Sequence, residues 1–377
     1  MHLSKYFILT LFAISGLASC TPPAEEEVIE VEPSLRNAYA DNFFIGTAMN
    51  AGQINQVDSI ESALIKKEFS SITAENIMKW MHIHPAADTF NFDLPDKLVD
   101  FGEENDMFVL GHTLVWHSQL APWVHEISDS TELMNAVKKH IDTIAGRYAG
   151  KVDGWDVLNE ALNGDGSLRE SIFLKVAGEG YIPQIFQWAA EADPNAELYY
   201  NDYSMTDSAK RQGAIRMIKS IQDAGIKIDG VGMQGHWGLN GPSIEQIETS
   251  ILEYAALGIK VMITELDVTV LPAPWDRLGA EISDTAEGSD VMNPYPDGLP
   301  DSVNQLLTQR YEDIFKLFLK HQDKISRVTF WGTHNGQSWK NNWPIRGRTD
   351  YTLVFDRNLN PTDAYKKIMA LKEENEM

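Results

Sequence analysis

The chain has 377 residues, 43% of them hydrophobic, enough to bury the core of one large α/β barrel or of two average domains. Its 31 basic residues face 55 acidic ones, and a formal charge of -24 repels phosphate backbones, which excludes nucleic acid as a partner. A neutral polysaccharide is indifferent to that charge, and the 10 tryptophans supply flat apolar faces on which sugar rings can lie.

In chain order, residues 1–19 join a basic start at Lys5 to an apolar run from Phe7 to Leu17, too short to span a bilayer and shaped like a secretory signal. Cys20, the only cysteine, follows Leu17-Ala18-Ser19, so the segment resembles a bacterial lipoprotein signal in which Cys20 carries the lipid. That reading implies a secreted lipoprotein held by an N-terminal anchor at the outer membrane or cell surface. The other reading is an ordinary cleaved signal with an incidental cysteine. Residues 20–33, rich in Pro and Glu, form a solvated tether.

From residue 34 to 373, short β-branched and aromatic runs alternate with amphipathic segments, the pattern of βα units around a parallel sheet. Eight strands are expected: Phe43 to Met49, Ser70 to Asn76, Met107 to Thr113, Val152 to Glu160, Glu197 to Asp202, Gly230 to His236, Lys260 to Val268 and Arg327 to His334. A helix is predicted from Thr131 to Tyr148, where Leu133, Val137, Ile141, Ile144 and Ala145 recur at helical spacing, and another from Ser208 to Ala224 with Gly225 as its cap. In nearly every strand the apolar part comes first and a polar or aromatic residue closes it. Such endings favour a closed (β/α)8 TIM barrel, in which all strand ends share one mouth, over an open sheet with a single switch point. The stretch from Leu271 to about Ser302 lacks periodicity and reads either as a functional loop at the mouth or as a surface insertion.

Two of these strands carry apolar runs closed by glutamates some hundred residues apart: Glu160 after Trp155-Asp156-Val157-Leu158-Asn159, and Glu265 after Val261-Met262-Ile263-Thr264. Breaking an acetal needs one carboxylic acid to protonate the leaving oxygen and one carboxylate to face the oxocarbenium ion. The amide of Asn159 can bond a sugar 2-hydroxyl. His236, on the neighbouring strand, and Asp267, two residues past Glu265, can form an Asp–His–Glu chain that keeps Glu265 ionised. Glu160 needs the opposite, an environment that raises its pKa.

Seven ordered motifs then identify a resemblance: Glu75-Asn76-Ile77-Met78-Lys79-Trp80, Gly111-His112-Thr113-Leu114-Val115-Trp116-His117-Ser118-Gln119, Trp155 to Glu160, Tyr200-Asn201-Asp202-Tyr203, Gly232-Met233-Gln234-Gly235-His236, Ile263-Thr264-Glu265-Leu266-Asp267, and Trp331-Gly332 with Ser338-Trp339. The chain resembles the endo-1,4-β-xylanases of glycoside hydrolase family 10. The resemblance implies retaining hydrolysis of xylan, with Glu160 as acid/base and Glu265 as nucleophile. It implies that Glu75, Asn76, Lys79, His112, Gln119, Asn159 and Gln234 bind xylose hydroxyls, and that Asn201 belongs to the substrate site. It also implies that Trp116, Trp331 and Trp339 wall the sugar next to the cleaved bond, the last two crowding the space of a glucose hydroxymethyl. Lys79 has a second reading as an ion-pair partner of Glu75. Two departures from the family pattern are Ala121-Pro122 after Leu120, where Pro often comes first, and Asn335 in place of a common Asp.

Other chemistries find less support. Gly230-Val231-Gly232-Met233-Gln234-Gly235 spells a dinucleotide fingerprint but leads into His236-Trp237-Gly238 rather than a helix. His82, His84, His112 and His117 lack the accompanying ligand spacing of a zinc site, and no nucleophile elbow is present. No metal and no cofactor is expected, the partners are xylan and xylo-oligosaccharides, and the catalytic domain is expected to act as a monomer. A β-1,4-glucan hydrolase and a noncatalytic xylan-binding lipoprotein are the competing functions. The tryptophan crowding opposes the first and the intact carboxylate pair the second.

Overall fold

The structure, a computed structural model, describes residues 33–274 and 285–376. The signal segment, Cys20 and all of the tether except Pro33 lie outside the described residues.

Among the described residues nine strands form: β1 (Phe44–Met49), β2 (Ser71–Ala74), β3 (Phe108–Trp116), β4 (Gly154–Asn159), β5 (Glu197–Asp202), β6 (Gly230–Met233), β7 (His236–Gly238), β8 (Lys260–Thr269) and β9 (Ile325–Phe330). All pairings are parallel; β6 pairs with β8 and β9 returns to β1, so eight strands close a barrel with β7 as a short extension beside β8. The expected (β/α)8 barrel is therefore the fold. Its strands are buried along almost their whole length, β4 completely, because helices cover the outside and side chains fill the inside.

The two predicted helices span Ser130–Arg147 and Ser208–Asp223. In the first, Leu133, Val137, Ile141, Ile144 and Ala145 face the core, and Asp129 caps the start by accepting from the Glu132 amide at 2.9 Å. The second ends in a Schellman pair, with the Gly225 N–H donating to the Gln222 carbonyl at 2.9 Å and the Ile226 N–H to Ile221 at 3.2 Å.

Several strand expectations change. The run Ser70 to Asn76 shortens to β2, which leaves Glu75 and Asn76 beyond its carboxyl end. The run Gly230 to His236 is not one strand: the chain breaks at Gln234-Gly235, where Gly235 takes φ 84°, and resumes as β7. β3 runs on to Trp116 through a register shift between His112 and Val115, because Leu114 and Val115 are apolar enough to stay in the barrel wall. The last strand spans Ile325–Phe330, which leaves Trp331 just beyond its carboxyl end.

Of the excursion after β8, the described part ends where the helix Asp301–Lys320 begins, and its only regular piece is a 3-10 turn, Asp290–Met292. It is tied to the segment after β9: the Ala286 N–H donates to the Pro344 carbonyl at 3.0 Å, the Thr349 N–H to Asn293 Oδ1 at 2.9 Å and the Tyr351 hydroxyl to the Tyr295 carbonyl at 2.9 Å. The final helix, Asp363–Glu376, extends past residue 373.

Candidate active site

A pocket at the carboxyl ends of the strands is lined by Glu75, Asn76, Lys79, His112, Trp116, Gln119, Asn159, Glu160, Gln234, His236, Glu265, Trp331 and Trp339. Every lining residue belongs to the set expected from the sequence. Two expected residues, Asn201 and Asp267, stand behind the wall instead, both fully buried.

The two glutamates are held by shared partners. Glu160 directly follows β4, where its backbone adopts φ 54°, and its N–H donates to the Asn201 carbonyl at 2.9 Å. Its carboxylate accepts from Trp116 Nε1 at 2.8 Å and from Gln234 Nε2 at 2.9 Å. Glu265, within β8, accepts from Asn201 Nδ2 at 2.8 Å and approaches His236 Nε2 at 3.2 Å, while its own N–H donates to the Gln234 carbonyl at 2.7 Å. Asn201 and Gln234 thus each grip both glutamates, one through the side chain and the other through the backbone. The Asn201 amide is itself fixed, because its oxygen accepts from the Thr264 hydroxyl at 2.6 Å and its nitrogen also reaches Asn159 Oδ1 at 3.0 Å. The placement of Asn201 makes it an anchor of Glu265 rather than a wall residue.

Although both carboxylates are about 95% buried, their environments push them apart. Burial raises the pKa of Glu160, and the charge of Asp202 raises it further, against the opposing hydrogen bond from Gln234, the charge of His117 and the bond from Trp116. Asp202 lies 2.7 Å from Lys210 Nζ in a fully buried ion pair and accepts from the Tyr200 hydroxyl. For Glu265, burial also raises the pKa, but the His236 bond, the nearby His112 and His236 and the Asn201 bond together bring it below the ordinary carboxylate value. One group is thereby suited to give a proton and the other to stay ionised.

Behind Glu265 the predicted chain is present. His236 Nδ1 lies 2.9 Å from Asp267 Oδ2, which also accepts from Trp339 Nε1 at 2.7 Å. Burial lowers the pKa of His236, but Asp267 and Glu265 outweigh it and leave the imidazole easier to protonate than usual. Asp267 is likewise held ionised despite burial, by His236 and by the ammonium of Lys340. Lys340, a buried residue with no conspicuous sequence signal beyond its neighbour Trp339, lies 4.2 Å from the Trp339 ring and 4.7 Å from Trp343, which stacks on Trp339 at 4.6 Å.

On the opposite side, His112 Nδ1 meets Asp156 Oδ2 at 2.8 Å. A charged residue in the middle of the apolar run Trp155 to Leu158 was the signal that could have singled out Asp156. Lys79 donates to Asn76 Oδ1 at 3.0 Å and lies over the Trp116 ring at 4.9 Å. Burial lowers its pKa against the opposing pull of Glu265, Glu75 and Glu160. Trp331 meets His112 edge-on with ring centres 5.5 Å apart. Asn335 is buried away from the pocket, its side-chain oxygen accepting from the Leu353 N–H at 2.7 Å, so this departure shapes the loop after β9 without lining the site. Trp155 is a core residue, as expected.

The arrangement suits acetal cleavage: a buried proton donor and a buried anion face one pocket with tryptophan walls and hydroxyl-binding polar groups around them. Gln234 Oε1, buried and without a hydrogen-bond partner among the described residues, is an acceptor that a sugar hydroxyl can satisfy.

Comparison with known proteins agrees with this chemistry. A model of glycosyl hydrolase family 10 matches residues 34–371. An endo-1,4-beta-xylanase A of Xylanibacter ruminicola is 41% identical over 351 residues, covering 92% of this chain and 95% of that protein. An endo-1,4-beta-xylanase B of Paenibacillus barcinonensis is 38% identical over 345 residues, covering 90% and 98%. Among solved structures, a GH10 endoxylanase retrieved from a sugarcane soil metagenome superposes with a TM-score of 0.88 at 42% identity, covering 90% of this chain and 100% of that one.

Proposed function

Because the chain belongs to glycosyl hydrolase family 10, we propose that it is an endo-1,4-β-xylanase that cleaves internal β-1,4-xylosidic bonds with retention of configuration. The observation that carries this reading is the pair of buried glutamates with opposite electrostatics lining one pocket.

In this reading Glu160 gives its proton to the glycosidic oxygen as the C–O bond breaks, while a Glu265 oxygen attacks the anomeric carbon to form a glycosyl ester. Glu160, now a carboxylate, takes a proton from water as that water attacks the anomeric carbon. The ester bond breaks, the sugar leaves and both glutamates return to their starting states. His236 and Asp267 keep Glu265 ionised and oriented, and Asn201 holds its other oxygen. Glu75, Asn76, Lys79, His112, Gln119, Asn159 and Gln234 bind hydroxyls of the sugar. Trp116 lies against its face, while Trp331 and Trp339 fill the space a hydroxymethyl would need and so favour xylose over glucose.

The test is to incubate the full chain with xylan, carboxymethyl-cellulose and mannan and to follow the anomeric proton during xylan cleavage. Xylan cleavage with first appearance of the β-anomer is expected. Preferential cleavage of carboxymethyl-cellulose would overturn the substrate, and first appearance of the α-anomer the mechanism.

The N-terminus supports a further proposal. The apolar run after Lys5 and the placement of Cys20 fit a lipoprotein signal, which would tether a monomeric enzyme to the outer membrane or cell surface where polymeric xylan is accessible. Labelling with a fatty-acid analogue that is lost in Cys20→Ala supports the anchor; equal labelling of both chains, or none, refutes it.

A further inference from the structure

We infer that Arg169 is a positioning residue that holds the stem of Glu160 in the orientation from which its carboxyl delivers and recovers the catalytic proton; the inference rests on the xylanase reading above. Glu160 is a non-glycine residue with a left-handed backbone, φ 54°, a conformation that persists only where the surroundings enforce it. On its amino side, its N–H is tied to the Asn201 carbonyl at 2.9 Å. On its carboxyl side, the tie is Arg169: Nε donates to the Glu160 carbonyl at 3.0 Å, and the Arg169 N–H donates to the next carbonyl, Ala161, at 2.7 Å.

The guanidinium is itself held. Its Nη2 donates to the Tyr203 hydroxyl at 2.8 Å, and the Tyr203 ring lies 3.6 Å from Lys210 Nζ, the ammonium that pairs with Asp202. Arg169 therefore joins the backbone of the acid to the buried ion pair whose anion raises the acid's affinity for its proton. The loop that brings Arg169 back is a tight one, closed by the Asn163 N–H to the Ser167 carbonyl at 2.9 Å and pinned to the helix Ser208–Asp223 by Arg216 Nη2 donating to the Gly166 carbonyl at 3.2 Å. Because the main-chain bond from Arg169 to Ala161 does not depend on the side chain, substitution at 169 frees the Glu160 carbonyl while keeping the loop.

What such a change does to the reaction differs from what a damaged pocket does. Proton delivery matters in proportion to how poor the leaving group is, whereas sugar binding and Glu265 attack matter for every substrate. The experiment compares kcat/KM of the full chain on phenyl and 2,4-dinitrophenyl β-xylobioside for the wild type, Arg169→Met and Arg169→Lys. With Arg169→Met, a misplaced acid is expected to cost on the order of 100-fold on the phenyl substrate. The dinitrophenyl substrate, whose leaving group needs no proton, should change by no more than roughly 2-fold. Arg169→Lys, which retains one donor but not the two-pronged reach, should fall between. Equal losses on both substrates, or no loss on either, overturn the role of Arg169; if Arg169→Met fails to fold by circular dichroism, Arg169→Lys decides between the same outcomes. A wild type that cleaves neither xylobioside overturns the xylanase reading itself, so the two failures are distinguishable.

Discussion

Asn201→Ala tests the electrostatic division between the two glutamates. In the wild type, the Asn201 amide donates to Glu265 Oε1 at 2.8 Å, deep in the barrel, where a hydrogen bond to an ionised group contributes about 1.5–3 kcal/mol. Because that donor stabilises the ionised carboxyl more than the protonated one, removing it raises the Glu265 pKa. Glu265 must be ionised to attack, so the acid limb of kcat/KM against pH should move to higher pH. Stability should fall as well. The Thr264 hydroxyl, which donates to Asn201 Oδ1 at 2.6 Å, loses its acceptor in a buried site, a cost of about 1–3 kcal/mol. The sign of its pH dependence follows from Glu265. A carboxylate whose folded pKa lies below its unfolded value stabilises the fold above the unfolded pKa, and that stability is lost as pH falls through the folded pKa. The variant should therefore differ from the wild type more at neutral pH than in acid. The assay is a pH series of kcat/KM on an aryl xylobioside, with urea unfolding at neutral and acid pH. A uniformly lower profile whose acid limb stays at the wild-type position refutes the reasoning, since Asn201 would then be a packing residue only.

Three further perturbations test the surroundings. Asp267→Asn removes the charge that, with Glu265, offsets burial at His236, so the imidazole should titrate at lower pH than in the wild type and Glu265 should lose a cationic neighbour. NMR titration of the His236 ring and a drop in kcat/KM on the order of 10-fold to 100-fold check this, and an unshifted histidine contradicts it. Lys340→Met takes the buried ammonium from beside Trp339 and Trp343, at a cost of about 0.5 kcal/mol for each of the two lost cation–π contacts, which together should raise KM for xylotriose roughly fivefold. An unchanged KM would mean that the Trp339 bond to Asp267 holds that wall alone. Gly166→Ala would place a methyl group 2.2 Å from the Ala209 carbonyl oxygen at a backbone φ of 79°, and should destabilise the fold by roughly 2–4 kcal/mol in urea unfolding. Wild-type stability would show that the loop after β4 is free to move away from its neighbouring helix.

The barrel and its pocket were legible because both rest on residue type at fixed positions along strands. A parallel barrel brings every strand's carboxyl end to one rim, so polar residues that interrupt apolar runs must converge there, whatever their separation in the chain. That reasoning finds Glu160, Gln234 and Glu265, and it also finds Asn201. It cannot tell a residue that faces the rim from one that lies just beneath it. The distinction depends on small changes of backbone course, such as the register shift between Asp156 and Leu158 that alters how β4 and β5 face each other, or the break at Gly235 that separates Gln234 from His236. The supporting residues were harder still. Lys340 and Arg169 follow no period and sit in the segments after β9 and β4, where partners are set by loop geometry rather than by pleat. Their chemistry is nonetheless tied to the carboxylates, since Lys340 helps hold Asp267 ionised and Arg169 bonds the backbone of Glu160. A sequence pattern can therefore identify the two groups that exchange the proton and attack the sugar. The opposite pKa shifts that make them different arise from buried neighbours contributed by other strands and loops, and these become visible only when the chain is folded.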